Sequence, residues 1–398
     1  MKKAITFSLF LFFLCGLTVC LNGCKKQVAP ESASSSVSEA SIASSADESI
    51  VKEAGMESSI EDNSENAAST TDLIADLGGN LKVNAQVSAP DNRDLSLPII
   101  RVQLLTMDGQ KVCQTLFSDA KIKDAILYPD YPDAQSFELD GEKYVTTNAG
   151  VISAVTPLGE IVTQLYALEW ILNDETLHQP DLSFASRDEV IHQTLAALSK
   201  MGIENVQCTE VYALSTEQLQ NASNDLMSQS DFSTDIQENR IAFKDNWTID
   251  DECYVLKMQF IASDYDMPVF SDDSVKAYAL TEIHYENYMA EAVVSKNGFI
   301  SLRIFKAFEE VEQAHAAAII PVENLVDLIS NYYQNIIIEH PTEIRKIMLN
   351  YILLPVEGKN MYELTPAWCC QAISQRDSEG EYETSWIVFD AITGQIHY

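Results

Sequence analysis

Apolar and polar residues alternate over 81–87, with Leu81, Val83, Ala85 and Val87 on one side, the period-two pattern of a half-buried strand. Residues 99–105 are less regular and fit either a strand or a short buried helix. Residues 128–131, beside Pro129 and Pro132, read as a loop, and 142–147 as a strand. The stretch 161–172 stays open, because its β-branched and aromatic residues suit a strand while its length suits a helix. At 186 the period changes. Ser186 and Glu189 form a capping-box pair, Ile191, Leu195 and Leu198 fall on one helical face, and Gly202 closes the helix. Residues 206–214 follow as a strand, Ser215 with Gln218 opens a short helix, and the polar run 221–238 is expected to be a mobile loop. From Cys253 the pattern is a meander with strands at 254–262, 277–284, 289–294 and 299–307, and Asn297-Gly298 marks a hairpin turn. Pro321 opens a second helix with Val322, Leu325, Val326 and Ile329 inward. Strands at 343–354, 362–373 and 385–389 end in the turn Asp390 to Gly394, where Gly394 supplies positive φ.

A helix followed by three antiparallel strands therefore closes the chain, and the region from 186 opens a looser copy of that plan. The expected fold class is α+β: curved antiparallel sheets, each packed by a helix, in two similar halves. The segment 72–185 reads as a β-rich subdomain and 186–398 as an α+β region, with a further break near 308–320.

The N-terminus has a different logic. Lys2 and Lys3 precede an uncharged apolar run over 4–21, the order of a secretory signal. Leu21-Asn22-Gly23-Cys24 resembles the lipobox of bacterial lipoproteins, with an aliphatic residue at −3, a small residue at −1 and the cysteine that takes a diacylglyceryl group. Cys20 is the competing thiol, but Val19 before it is bulky and branched. The resemblance implies a signal peptide over 1–23, lipidation at Cys24, and a location at the cell membrane, lipid-anchored on its extracellular face. An uncleaved N-terminal anchor helix would give the same topology. Residues 24–71 are dominated by Ser, Ala, Glu and Asp without an aromatic residue, too little apolar surface to offset ordering entropy, and read as a disordered tether.

Charge narrows the partners. The 398 residues carry 60 acidic and 25 basic side chains, a formal net charge of −35, which repels nucleic acid and anionic headgroups and favours solubility or basic partners. Beyond the signal and Cys24, five cysteines remain: Cys113, Cys208, Cys253, Cys369 and Cys370. An odd number cannot all pair, and Cys369 and Cys370, adjacent in an expected strand, point to opposite faces. Buried free thiols are expected, with a Cys208–Cys253 bridge as the alternative.

Signatures of chemistry are scarce. No two of the six histidines share a helical turn, so no zinc pair forms. Neither a Gly-x-Ser-x-Gly elbow nor a Gly-x-Gly-x-x-Gly loop occurs. Ser118 and Lys121 have the Ser-x-x-Lys spacing but lack a Lys-Thr-Gly. Asp264, Asp266, Asp272 and Asp273 do not follow the EF-hand order, since Val269 and Val275 stand at its sixth and twelfth positions. Trp368, Trp386, Tyr332 and Tyr333 read as core. No catalytic, cofactor or metal residue is assigned.

Leu364-Thr365-Pro366-Ala367-Trp368, followed by Trp386 through Gly394, resembles the closing strands of PepSY-like domains and of the membrane-anchored regulators of the cell-wall sensor kinase of low-GC Gram-positive bacteria. The helix after Pro321 and the Gly298-Phe299-Ile300 hairpin exit are similar too. The whole chain looks like clostridial lipoproteins of this kind. The resemblance covers 187–398 and implies a fold and a non-enzymatic regulatory or binding role outside the cell, with a protein or peptide partner at the envelope. Lipidation would leave no transmembrane helix to reach a kinase. The alternative is a solute-binding or enzyme-accessory lipoprotein that captures a small ligand in a cleft.

Overall fold

The computed structural model describes residues 69–89, 95–167, 171–172, 174–238, 241–262, 265–270, 289–356, 361–375 and 382–397. Cys24 and the strand expected at 277–284 lie outside them. Residues 66–398 form one compact unit.

In chain order the elements begin with β1 (Ser69–Asp76), β2 (Leu81–Ala89), β3 (Ser96–Leu97), β4 (Ile100–Leu104) and helix α1 (Gly109–Leu116). Next come β5 (Ile122–Tyr128), β6 (Tyr131–Leu139), β7 (Lys143–Asn148), β8 (Val151–Val155), α2 (Pro157–Ala167), α3 (Asp174–Leu177), α4 (Arg187–Met201), β9 (Val206–Leu214), α5 (Thr216–Ser228) and α6 (Ser230–Gln237). The remainder is β10 (Cys253–Ala262), β11 (Met267–Phe270), β12 (Ala290–Ser295), β13 (Gly298–Ile304), β14 (Phe308–Gln313), β15 (Ala317–Ala318), a 3-10 turn (Val322–Asn324), α7 (Leu325–Tyr333), β16 (Thr342–Pro355), β17 (Tyr362–Gln375) and β18 (Tyr382–Asp390). The fold is α+β and mostly sheet.

Two sheets share the work. In the first, β16 and β17 form the long antiparallel centre; β2 and β11 lie parallel to β16 on its outer side, β1 pairs β2, β17 is flanked by β18 and β4, and β14 pairs β4. The second is an antiparallel run β9-β10-β12-β13-β8-β7-β6-β5. Strand β11 joins them, antiparallel to β10 and parallel to β16. A second seam is made by backbone alone: Leu105 N donates to Ala307 O at 2.9 Å, Ala307 N to Gly150 O at 2.8 Å, and Gly150 N to Leu105 O at 2.7 Å. Gly150 sits at φ +66, and a Cβ there would stand 2.8 Å from Ala307 O, so the seam needs glycine. The largest apolar cluster draws on both sheets and on α1, α4 and α7. A second cluster sets α2 and α5 on the other face of β10 and β12, and a third lies over β17 and β18.

Several expectations are corrected. The tether does not run to 71, because residues 69–71 begin β1, where Leu73 and Ala75 alternate toward the core. The 221–238 loop is helical: Leu219, Ala222 and Leu226 recur at helical spacing and bury one face while polar residues solvate the other. The open stretch 161–172 is resolved as helix through Ala167, begun by Pro157 with Thr156 Oγ accepting from Gly159 N at 3.1 Å. Helix α1 and strands β5 and β6 were not anticipated, and Tyr131 stands in β6, not in a loop. The inward face of α4 is Val190, Thr194, Ala197, Leu198 and Met201, with Ile191 and Leu195 at its margin. The boundary expected at 185/186 is crossed by five ladders, β2–β16, β3–β15, β4–β14, β4–β17 and β8–β13.

Candidate docking edge and adjoining cleft

The second sheet ends at β5. Among the described residues β5 pairs only with β6, so its outer row of backbone groups faces away from the sheet. Cross-strand pairs share a face and neighbours alternate. Ile126, opposite Ser136, thus lies on the face of Ser136 and Thr146, and Leu127, opposite Gln135, on the reverse. Neither side is covered: Ile126 is 48% exposed and Leu127 67%. Ile122 and Tyr131 add apolar surface at the two ends. The tip is fastened from within, since the Tyr128 and Ser136 hydroxyls lie 3.3 Å apart and those of Ser136 and Thr146 3.1 Å. Other edges are blunted: β14 carries Glu309, Glu310 and Glu312 in six residues. Over Ala125 to Tyr128, β5 carries no charge.

The row through Ser136 continues across the sheet as Thr146, Ser153, Arg303, Glu291, Lys257 and Glu210, each directly opposite the next. Signs alternate from Glu210 to Arg303. Lys257 and Glu291 are buried and ion-paired, Thr209 Oγ donates to Lys257 O at 3.1 Å, and the Tyr212 hydroxyl donates to Glu210. A charge pair so deep in a sheet is held in place by the register of β10 on β12.

Near the start of β6 a cleft of about 340 Å³ opens at the backbone seam, lined by Gln103, Leu104, Leu105, Thr106, Asp133, Ala149 and Glu309. Gln103 donates to Glu309, and Asp133 brings a second carboxylate from the β5–β6 side. The walls are mainly polar and shallow in apolar surface.

No family model and no curated protein matches the sequence. Among solved structures the chain is similar to an uncharacterised protein from Eubacterium rectale ATCC 33656, known from a crystal structure at 1.45 Å resolution. The TM-score is 0.55 at 14% identity, covering 82% of this chain and 93% of that one. The likeness shows the fold alone.

The thiols are spread through the core. Cys113, Cys253, Cys369 and Cys370 are buried, Cys208 is half-buried, and all five are free, including Cys208 and Cys253. Cys370 joins the central cluster and Cys369 the one on the opposite face, as strand alternation requires. Burial pushes Cys113 up to about 11 and Cys208 and Cys370 to about 12, and raises Cys253 and Cys369 as well. They are protonated at neutral pH and are poor nucleophiles. Among the described residues no group of three or more His, Cys, Asp or Glu could hold a metal ion, and no helix is long and apolar enough to cross a membrane. Trp368 and Trp386 are core residues; the Trp368 indole donates to Ile320 O at 2.9 Å, and Trp386 meets the Phe270 ring edge-on. Tyr332 and Tyr333 are half-buried against the central cluster. Sequence reading missed β5 because a strand exposed on both faces has no alternation to detect; the uncharged run Ala125 to Tyr128 beside Pro129 was the available signal.

Proposed function

We propose that the chain is an extracytoplasmic lipoprotein, anchored through acylated Cys24 on the outer face of the cell membrane, that acts as a non-enzymatic binding or regulatory module and docks a polypeptide on the free edge of β5. The observation that carries the docking reading is an edge that, among the described residues, pairs on one side only, carries no charge from Ala125 to Tyr128, and exposes Ile126 and Leu127 on its two faces. Edge strands of this kind are costly to leave open, and strand addition is a common mode of peptide recognition. The PepSY-like reading is supported by α7 followed by the antiparallel strands β16, β17 and β18. The cleft, with its polar lining, gives weaker support to capture of an apolar small ligand, which favours deep, mainly apolar walls.

The anchor is tested by Cys24→Ser in the full chain, followed through fractionation and metabolic labelling with a tritiated fatty acid. Loss of label with release from the membrane fraction is expected. Retention of the variant in membranes, unprocessed and as abundant as the parent, would sink the anchor assignment.

A further inference from the structure

Resting on the docking reading, we infer that the occupant of the β5 edge is an extended polypeptide segment of another protein, apolar along the strand and cationic at the end that meets the β5–β6 tip. An added strand would set side chains on both faces, beside Ile126 on one and Leu127 on the other, so it must bring apolar residues at consecutive positions. The charge around the edge is uneven. Lys121 and Lys123 stand at the start of β5, with Lys123 Nζ 3.9 Å from both Glu138 and Asp140. At the other end the tip carries Asp130, Asp133 follows in the lining of the cleft, and no basic residue stands between Lys123 and Lys143. A lysine or arginine at the end of the added strand would meet the field of Asp130 and Asp133, and the net charge of −35 draws a cationic segment from a distance. A second copy of this chain is the rival occupant, since antiparallel pairing would bring Lys121 toward the partner's tip. Both copies would carry the same −35, and Lys123 is already shared between two carboxylates of its own chain.

The test is a selection of random linear peptides of about eight residues, the length of a typical strand, displayed on phage against the full chain without its lipid. The winners are resynthesised and titrated at low and high salt. Expected is enrichment of Lys and Arg together with Val, Ile, Leu or Phe. Affinity should fall about tenfold or more in the paired variant Ile126→Glu and Leu127→Glu, and about threefold to tenfold in Asp130→Asn with Asp133→Asn, the latter effect shrinking as salt rises. Neutral or acidic winners that still depend on Ile126 and Leu127 would overturn the cationic class and leave the docking edge standing. Winners indifferent to Ile126→Glu and Leu127→Glu would overturn both. A concentration-dependent dimer in sedimentation that the same paired variant abolishes would replace the foreign segment with a second copy. Circular dichroism of each variant, unchanged on a surface this exposed, separates loss of docking from loss of fold.

Discussion

Gly159 stands where α2 meets β13, and a Cβ built on it would lie 1.9 Å from Ile300 O. Thr156 fixes this approach, its N–H and hydroxyl both donating to Ile300 O at 2.9 and 3.1 Å. Gly159→Ala should therefore push the helix off the sheet and cost about 1–3 kcal/mol, the range of overpacking in a closed core, read as a lower urea midpoint at constant slope. The Lys257–Glu291 pair makes the opposite kind of statement. Removing one partner leaves a buried charge, so Glu291→Gln or Lys257→Met should each cost about 3–5 kcal/mol, whereas the double change Lys257→Met with Glu291→Leu should recover most of that loss. Equal losses that simply add in the double variant would show that the two groups do not interact. These residues carry no sequence motif. Lys257 and Glu291 occupy strand positions that alternation marks as one face, but only the register of β10 on β12 places them side by side.

At the scale of elements, α4 was legible because its signals are local. Ser186 accepts from Glu189 N, Glu189 accepts from Ser186 N at 2.8 Å, and Gly202 ends the helix at φ 91. The β12–β13 hairpin at Asn297-Gly298 is read from turn chemistry in the same way. Helix α5 was legible at its start, through Ser215 and Gln218, and not at its end, because its buried stripe needs Trp247 and β10 to cover it. The turn that delivers Trp247 is tied down by Asp251. Lys244 Nζ donates to it at 2.5 Å and Thr248 N and Oγ at 2.8 Å each, while the Trp247 indole donates to Ser223 Oγ at 2.7 Å. Burial pushes the Asp251 carboxyl up, but the hydrogen bonds from Lys244 and Thr248 outweigh it and hold the group below the ordinary carboxylate range. A depressed pKa in the folded state contributes stability above the unfolded value and loses it as pH falls. Asp251→Asn should cost about 1–3 kcal/mol at neutral pH, and its difference from the parent should shrink as pH drops below about 4. A difference that stays constant from neutral pH to about 3 would contradict this account.

For the molecule as a whole, the consequence of interleaved ladders is cooperativity. Strands β2, β3 and β8 are hydrogen-bonded to β16, β15 and β13, and β4 to both β14 and β17, so a fragment beginning at 186 loses four partner strands and exposes the core face of both sheets. The 186–398 fragment should show no sigmoidal thermal transition by circular dichroism, while 66–398 should unfold in one step with Trp fluorescence and far-UV signals superimposing. A folded 186–398 fragment would restore the two-part reading. What the sequence by itself determined is whatever rests on near neighbours: capped helix starts, hairpin turns, alternating strands, the α+β class, and the opposite faces of Cys369 and Cys370. Tertiary structure alone decided which distant strands pair, that residues 69–71 belong to β1, that 221–238 is helical, and that among the described residues β5 pairs on one side only. The reason is physical: pattern records which side of an element avoids water, whereas partnership depends on long-range register, which no local stretch of sequence carries.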